Sequence, residues 1–289
     1  MTNSFRPSPQ FSLVLITMIW GGTFLTVKYA LSFGDPLYFI ALRFGTAALF
    51  IALLMRRDLG KITLYEWFAG SLIGVFLFLG YTLQTYGLQT ISSSRSAFIT
   101  AFAVPMVPLF QWLLFRERPR LGSWIGIALA FAGLVLIAGP SEGSTGFSIG
   151  VIFTIISAVA IAVEVVLIGW FAGKIDAKRV TFVQLFITSG IACVLIPILQ
   201  EPAPQNLIPF VAIATLLGLA SAIIQMTMNW AQRSVSPTRA TIIYSGEPVW
   251  AGIIGRIAGD RLPATALIGA AMIITAMLVS ELSPKKKAP

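Results

Sequence analysis

The chain has 289 residues, of which 57% are hydrophobic and only 11% charged, where soluble domains carry about 45–50% and about 25%. Mean hydropathy is +0.87, so a water-covered globule is excluded and a polytopic membrane protein is expected. The net charge of +9 falls between apolar runs, which points to the membrane surface and not to nucleic acid.

A spanning helix needs about 20 mostly apolar residues. Ten such runs occur, near 11–33, 36–55, 67–89, 94–115, 122–139, 147–172, 180–199, 207–231, 238–258 and 263–282. The runs do not alternate apolar and polar residues as barrel strands do, so helices are expected. Turn residues separate them: Gly34-Asp35-Pro36, Arg118-Pro119-Arg120, Gly139-Pro140 and the Pro202/Pro204 stretch. The first run is too long for a signal-peptide core, and no small-residue cleavage site follows it.

Lys and Arg set the expected orientation. With the N-terminus inside, 15 of the 20 basic residues lie in cytoplasmic segments, and three (Arg95, Arg256, Arg261) lie outside. Nine or eleven spans would scramble that bias. Lys28 and Arg43 fall within spans. Both termini are therefore expected in the cytoplasm, in a bacterial inner membrane.

Sliding the sequence on itself by 143 positions lays 94–136 over 237–279, with seven of 43 residues identical. Pro105 meets Pro248, Arg118 meets Arg261 and Gly126 meets Gly269. A duplication into two five-helix halves follows. Five is odd, so the second half is inverted, and inverted repeats place a binding site at mid-bilayer between them. The expected architecture is all-α, with ten transmembrane helices in two inverted five-helix repeats around a central cavity. Its parts are an N-terminal tail (1–10), a first half (11–139), an external linker (140–146), a second half (147–282) and a basic C-terminal tail (283–289).

Four ionisable groups lie in the spans: Lys28, Arg43, Glu164 and Glu247. Each costs about 2.5–3.5 kcal/mol on insertion scales and needs an account. Lys28 and Arg43 sit toward the outer side, where they would line a vestibule or attract a carboxylate; alternatively they snorkel or bond carbonyls. Glu164 and Glu247 could bind an amine or carry a coupling proton, or be structural carboxyls, protonated or paired with Arg43. Pro248 and Pro105 remove the helical donors of the Tyr244 and Ala101 carbonyls, and Pro108 adds a second break. Two symmetry-related kinks suggest gates beside a wet cavity, or simple bends that improve packing.

Span 8 carries Ser221, Gln225, Asn229 and Gln232 in one stripe, and span 3 carries Tyr81, Gln84, Thr85 and Tyr86. Such stripes either bond across helices or read a polar substrate. Thr17, Trp20, Phe24 and Lys28 share a face of span 1. Trp20 and Trp250 lie deeper than the interfacial belt expected of Trp67, Trp124 and Trp170. The substrate-contact candidates are Trp20, Phe24, Tyr81, Gln84, Glu164, Gln225, Asn229, Tyr244, Glu247 and Trp250. The cavity is expected to be lined by spans 1, 3, 4, 6, 8 and 9. Small residues four apart (Gly70/Gly74, Gly122/Gly126/Ala130, Gly255/Gly259) read as close helix packing. Spans 5 and 10 are scaffold or dimer candidates, and a monomer or weak dimer is expected.

Several chemistries are excluded. Gly139-Pro140-Ser141-Glu142-Gly143 fits the nucleophile-elbow pattern, but that elbow needs a strand before it and a histidine base, and the chain has no histidine. Gly173-Lys174 fails the phosphate-loop spacing. No metal-ligand cluster or cofactor motif is present. The single cysteine, Cys193, is expected to pack as a small hydrophobe.

Taken in order, Trp20-Gly21-Gly22-Thr23-Phe24 with Lys28, Pro36 with Arg43-Phe44, Pro105 with Glu117-Arg118, and the Gly/Ala-rich spans 5 and 10 resemble the EamA branch of the drug/metabolite transporter superfamily. No Trp-Gly pair opens span 6. The resemblance implies two five-helix halves and export of amino acids, aromatic ones included, or of other metabolites. Drugs, nucleotide-sugars and lipid-linked sugars are the alternative cargoes. A membrane enzyme or structural subunit is the alternative of another class; the first would need a nucleophile–base pair or metal cluster, and the second has no use for Glu164 and Glu247.

Overall fold

The computed structural model describes residues 8–116, 121–138, 148–244, 246–259 and 264–282. Twelve helices occur among them: α1 (Pro9–Ala30), α2 (Pro36–Leu54), α3 (Leu64–Leu88), α4 (Ser93–Thr100), α5 (Ala103–Phe115), α6 (Leu121–Ala138), α7 (Ile149–Phe171), α8 (Ala177–Leu199), α9 (Leu207–Ala231), α10 (Pro237–Tyr244), α11 (Gly246–Ile257) and α12 (Ala264–Leu282). Seven stretches are long and apolar enough to cross a membrane: α1, α2, α3, α4 with α5, α7, α8 and α9. α6 and α12 contain shorter apolar runs, and α10 and α11 are two short helices. The corners at Glu117–Arg118 and Asp260–Arg261, the segment 140–146, most of the first tail and all of 283–289 lie outside the described residues.

Local chemistry starts the helices where the turn residues placed them. Ser8, Ser92 and Ser148 accept the first-turn N–H groups of Phe11, Arg95 and Val151. Thr63 and Glu66 form a reciprocal capping box at α3. Asp176 caps α8 through the N–H groups of Lys178 and Arg179. Pro36 stands in the first turn of α2, where a missing N–H costs nothing.

The helices pack in two exchanging sets. α3 lies on α7 and α8, while α9 lies on α1 and α2; α5 packs on α7, while α11 packs on α1; α2 meets α8, and α6 meets α12. α3 and α9 begin and end 143 positions apart, the interval at which Pro105 meets Pro248. Small residues allow the close crossings. A Cβ on Gly74 would stand 2.7 Å from the Gln184 carbonyl oxygen, and one on Gly70 would stand 2.6 Å from Val183. α6 and α12 press together at Gly133, where a Cβ would stand 2.6 Å from the Gly269 carbonyl oxygen.

Four expectations change. Pro108 lies inside an unbroken α5, because only the break at Ala101–Phe102 interrupts this span. The Ala101 carbonyl is not left free by Pro105: the Val104 N–H reaches it at 3.0 Å, through a tighter turn. Cys193 is exposed, on the flank of α8 that also presents Val194 and Ile198 outward. Gly259 is no packing glycine: its φ is +101° and a Cβ there would meet nothing, so it serves a left-handed turn after α11.

At the face where α3 and α8 begin, Glu66 accepts from Asp176 N at 3.0 Å and pairs with Arg179 Nη2 at 3.0 Å. At the opposite end, Glu201 accepts from Leu37 N at 2.8 Å, Tyr38 N at 3.2 Å and the Tyr86 hydroxyl at 2.6 Å. α3 and α8 are thus tied at both ends, and α2 joins them at the Glu201 end.

Substituting Gly74→Ala should lower stability by about 1–3 kcal/mol, since its new Cβ meets backbone that cannot yield. Gly60→Ala, where nothing lies within 4 Å, should be close to neutral. Thermal unfolding of both variants in detergent micelles tests the pair.

Candidate functional site

Polar and aromatic side chains from eight helices converge in the interior. Trp20 (α1) stacks on Tyr81 (α3), with ring centroids 6.5 Å apart and planes at 7°. Tyr244, the last residue of α10, meets Trp20 edge-on at 5.7 Å, and Phe44 (α2) meets Tyr81 edge-on at 5.1 Å. The Arg43 guanidinium lies 5.0 Å from the Tyr81 ring centroid and 5.4 Å from that of Phe44. Such cation–π contacts strengthen where water is excluded. Arg43 Nε donates to Ser221 Oγ (α9) at 2.8 Å, while its Nη2 atom is buried without a hydrogen-bond partner among the described residues. The geometry places Arg43 inside the bundle, 1% exposed, and not on an open vestibule.

A second cluster adjoins the first. Gln225 Nε2 (α9) donates to Glu164 Oε1 (α7) at 3.1 Å, and Gln184 Nε2 (α8) donates to Gln225 Oε1 at 2.7 Å. Asn229 Nδ2 donates to Gln184 Oε1 at 3.0 Å and to Thr181 Oγ1 at 3.1 Å. Amides suit this seam because each carries both a donor and an acceptor, so one chain of bonds joins α7, α9 and α8. The Tyr81 side chain lies close to Gln225, and Arg43, Glu164 and Glu247 all lie within electrostatic reach of it.

Glu247 occupies the first turn of α11. The positive end of a helix favours an acid there. Its side chain is buried and its Oε1 has no hydrogen-bond partner among the described residues. Gly21 explains how α11 comes so close: a Cβ at Gly21 would stand 2.8 Å from the Glu247 carbonyl oxygen and 2.7 Å from Trp250 Cβ. Gly21 of the Trp-Gly-Gly motif is therefore a spacer that admits α11.

Not every expected residue joins this group. Gln84 bonds Thr100 of α4 at 3.0 Å. Phe24 lies in a separate apolar cluster with Val27, Phe39 and Phe210. Lys28 donates to the Ile91 carbonyl, the carbonyl-bonded alternative of its two readings. Trp250 is half-buried beside Gly21. Gln232 Nε2 donates to the Tyr244 hydroxyl at 3.2 Å. The sequence reading missed α8 altogether. Thr181, Gln184 and Thr188 recur at three and four residues, and all three are fully buried; that spacing carried the signal. Glu164 and Glu247 form no ion pair with Arg43 among the described residues.

An all-helical, apolar bundle with charged and amide groups turned inward defines a membrane carrier class. The EamA-like transporter family model matches the chain twice, over residues 8–139 and 148–281. The chain belongs to that family and is a multi-pass membrane transporter. It is 27% identical over 274 residues to an "uncharacterized transporter" of Archaeoglobus fulgidus, covering 94% of this chain and 85% of that protein. The "uncharacterized inner membrane transporter YedA" of Escherichia coli K12 is 26% identical over 281 residues, covering 93% and 89%. A solved crystal structure shares the fold, with a TM-score of 0.66, 22% identity and coverage of 94% of this chain and 96% of that one.

Replacing Gln225 by Leu strands both Glu164 and Gln184. Each orphaned buried group costs about 1–3 kcal/mol, so a marked fall in the unfolding midpoint is expected. Ser221→Ala, which strands only Arg43 Nε, should fall less. Parallel melts of the two variants rank them.

Proposed function

We propose that this transporter exports small amphiphilic metabolites, amino acids foremost and aromatic ones among them, by alternating access. The observation that carries the reading is a pair of buried, unsatisfied groups of opposite character: Arg43 Nη2, a donor, and Glu247 Oε1, an acceptor. Buried polar atoms without partners are uncommon and call for an explanation. A zwitterion supplies both missing partners, its carboxylate to Arg43 and its ammonium to Glu247. Trp20, Tyr81 and Tyr244 offer ring faces and edges to an apolar or aromatic side chain. Glu164, held by Gln225, and Asn229 line the polar wall, with Gln84 and Trp250 at the margins. Phe24 and Lys28 belong to the outer approach.

The same reading takes the chain as ten spans in two inverted halves, 11–139 and 147–282, with the segment 140–146 outside and the short tails 1–10 and 283–289 in the cytoplasm of an inner-membrane protein. Three observations support it: the twofold match of the family model, the exchange of helix pairings between the halves, and the 15-to-three bias of basic residues. Pro105 and Pro248 each stand third in their helices, α5 and α11, and in this reading α4/α5 and α10/α11 are the gates. Glu164 and Glu247 are the candidates for a coupling proton. Trp20, Tyr81, Glu164 and Glu247 are all under one-tenth exposed, which fits a closed site that the gates open alternately to each side.

Transport of a panel of labelled amino acids into proteoliposomes, with and without a pH gradient, tests the proposal. Flux of at least one amino acid is expected, with Glu247→Gln and Arg43→Gln each lowering it at least about tenfold, the loss of a charge-assisted bond worth about 1.4 kcal/mol or more. No flux of any amino acid removes the cargo assignment. Flux unchanged by the gradient removes proton coupling. Full activity of both variants removes the site.

A further inference from the structure

A two-part cavity lies away from the central site, at the membrane face where α7 and α9 end and α8 begins. Its polar basin, about 650 Å³, is lined by Thr63, Glu66, Lys174, Asp176, Arg179 and Arg233, among others. A narrower slot of about 260 Å³ adjoins it between α8 and α9, lined by Ala177, Lys178, Met226, Thr227 and Trp230. Asp176 and Arg233 line both parts.

The charges of the basin do not cancel. Glu66 is neutralised by Arg179 at 3.0 Å, and Asp176 spends Oδ1 on the N–H groups of Lys178 and Arg179. Lys174, Lys178 and Arg233 have no carboxylate within ion-pair distance among the described residues. Arg233 is fixed by its Nη2 bond to the Ile175 carbonyl at 2.7 Å, and Lys174 sits 4.0 Å over the Trp170 ring. Trp170 and Trp230 are both exposed, as tryptophans at a membrane–water boundary are.

A cationic basin at headgroup depth, continuous with an apolar slot opening beside two spans, has the chemistry of an anionic amphiphile. We propose that this cavity binds one anionic diacyl phospholipid, its phosphodiester at Lys174, Lys178 and Arg233 and the start of one acyl chain in the slot against Met226 and Trp230. Basic pockets between spans commonly hold such headgroups. The site stands whichever way the chain is threaded and whatever it carries, because it shares no residue with the central cluster.

Native mass spectrometry of the full chain in detergent, titrated with dioleoylphosphatidylglycerol or dioleoylphosphatidylcholine, tests this. One tightly retained phosphatidylglycerol per chain is expected, bound about tenfold tighter than phosphatidylcholine. The K174Q/K178Q double variant should lose that preference to within about threefold; it leaves the Arg233 bond to Ile175 intact. Thr227→Trp, which fills the slot and keeps every charge, should also weaken retention at least about fivefold. Equal binding of the two lipids, or a preference unmoved in both variants, overturns the proposal. Displacement of the lipid by an equimolar amount of glycerol phosphate also overturns it, since a soluble anion would then be the ligand.

Discussion

Lipid offers no hydrogen bonds, so every polar side chain carried into it must find its partner on another helix. Arg43 states the constraint most sharply. A guanidinium halfway along a span is costly on its own, and here it rests against the rings of Tyr81 and Phe44 and donates to Ser221 on α9. Glu164 meets the same demand through Gln225, and Gln225 through Gln184. These partners come from both ends of the sequence. The bonds that make burial tolerable are therefore also the bonds that bring α2 and α3 against α7, α8 and α9.

Close approach of backbones completes the arrangement. Gly70 and Gly74 let α8 settle on α3, Gly218 lets α9 settle on α2, and Gly21 admits α11 beside α1. With no side chain at Gly21, α11 lies close on α1, and Tyr244 of α10 meets Trp20. Packing of small residues and partnering of polar ones are thus one device in this bundle, the first setting the distance at which the second can operate. Among the described residues the unsatisfied atoms that remain include those on Arg43 and Glu247, with Asn229 Oδ1 and Gln232 Oε1 beside them.

Much of the fold was legible in the residues. Apolar runs marked the spans, proline and glycine marked their ends, and the offset of 143 residues anticipated the correspondence of α3 with α9. Pro105 marked the break at Ala101–Phe102 because a missing N–H is a local property. Pro108 misled, since its neighbours in α5 keep the helix intact around it. The site was legible in part. Trp20, Tyr81, Tyr244, Arg43, Glu164, Gln225 and Asn229 do meet, but Phe24 shares the face of Trp20 and still packs into a different cluster. Gln184 went unread because one amide among apolar neighbours has meaning only once its partners are known.

By itself, the sequence determined the solvent of this protein and the punctuation of its apolar segments, because transfer free energy and backbone geometry are summed residue by residue. Only the tertiary structure decided which of the buried polar groups satisfy one another and which are left over. That depends on distances between helices far apart in the chain, set by packing that no single segment contains.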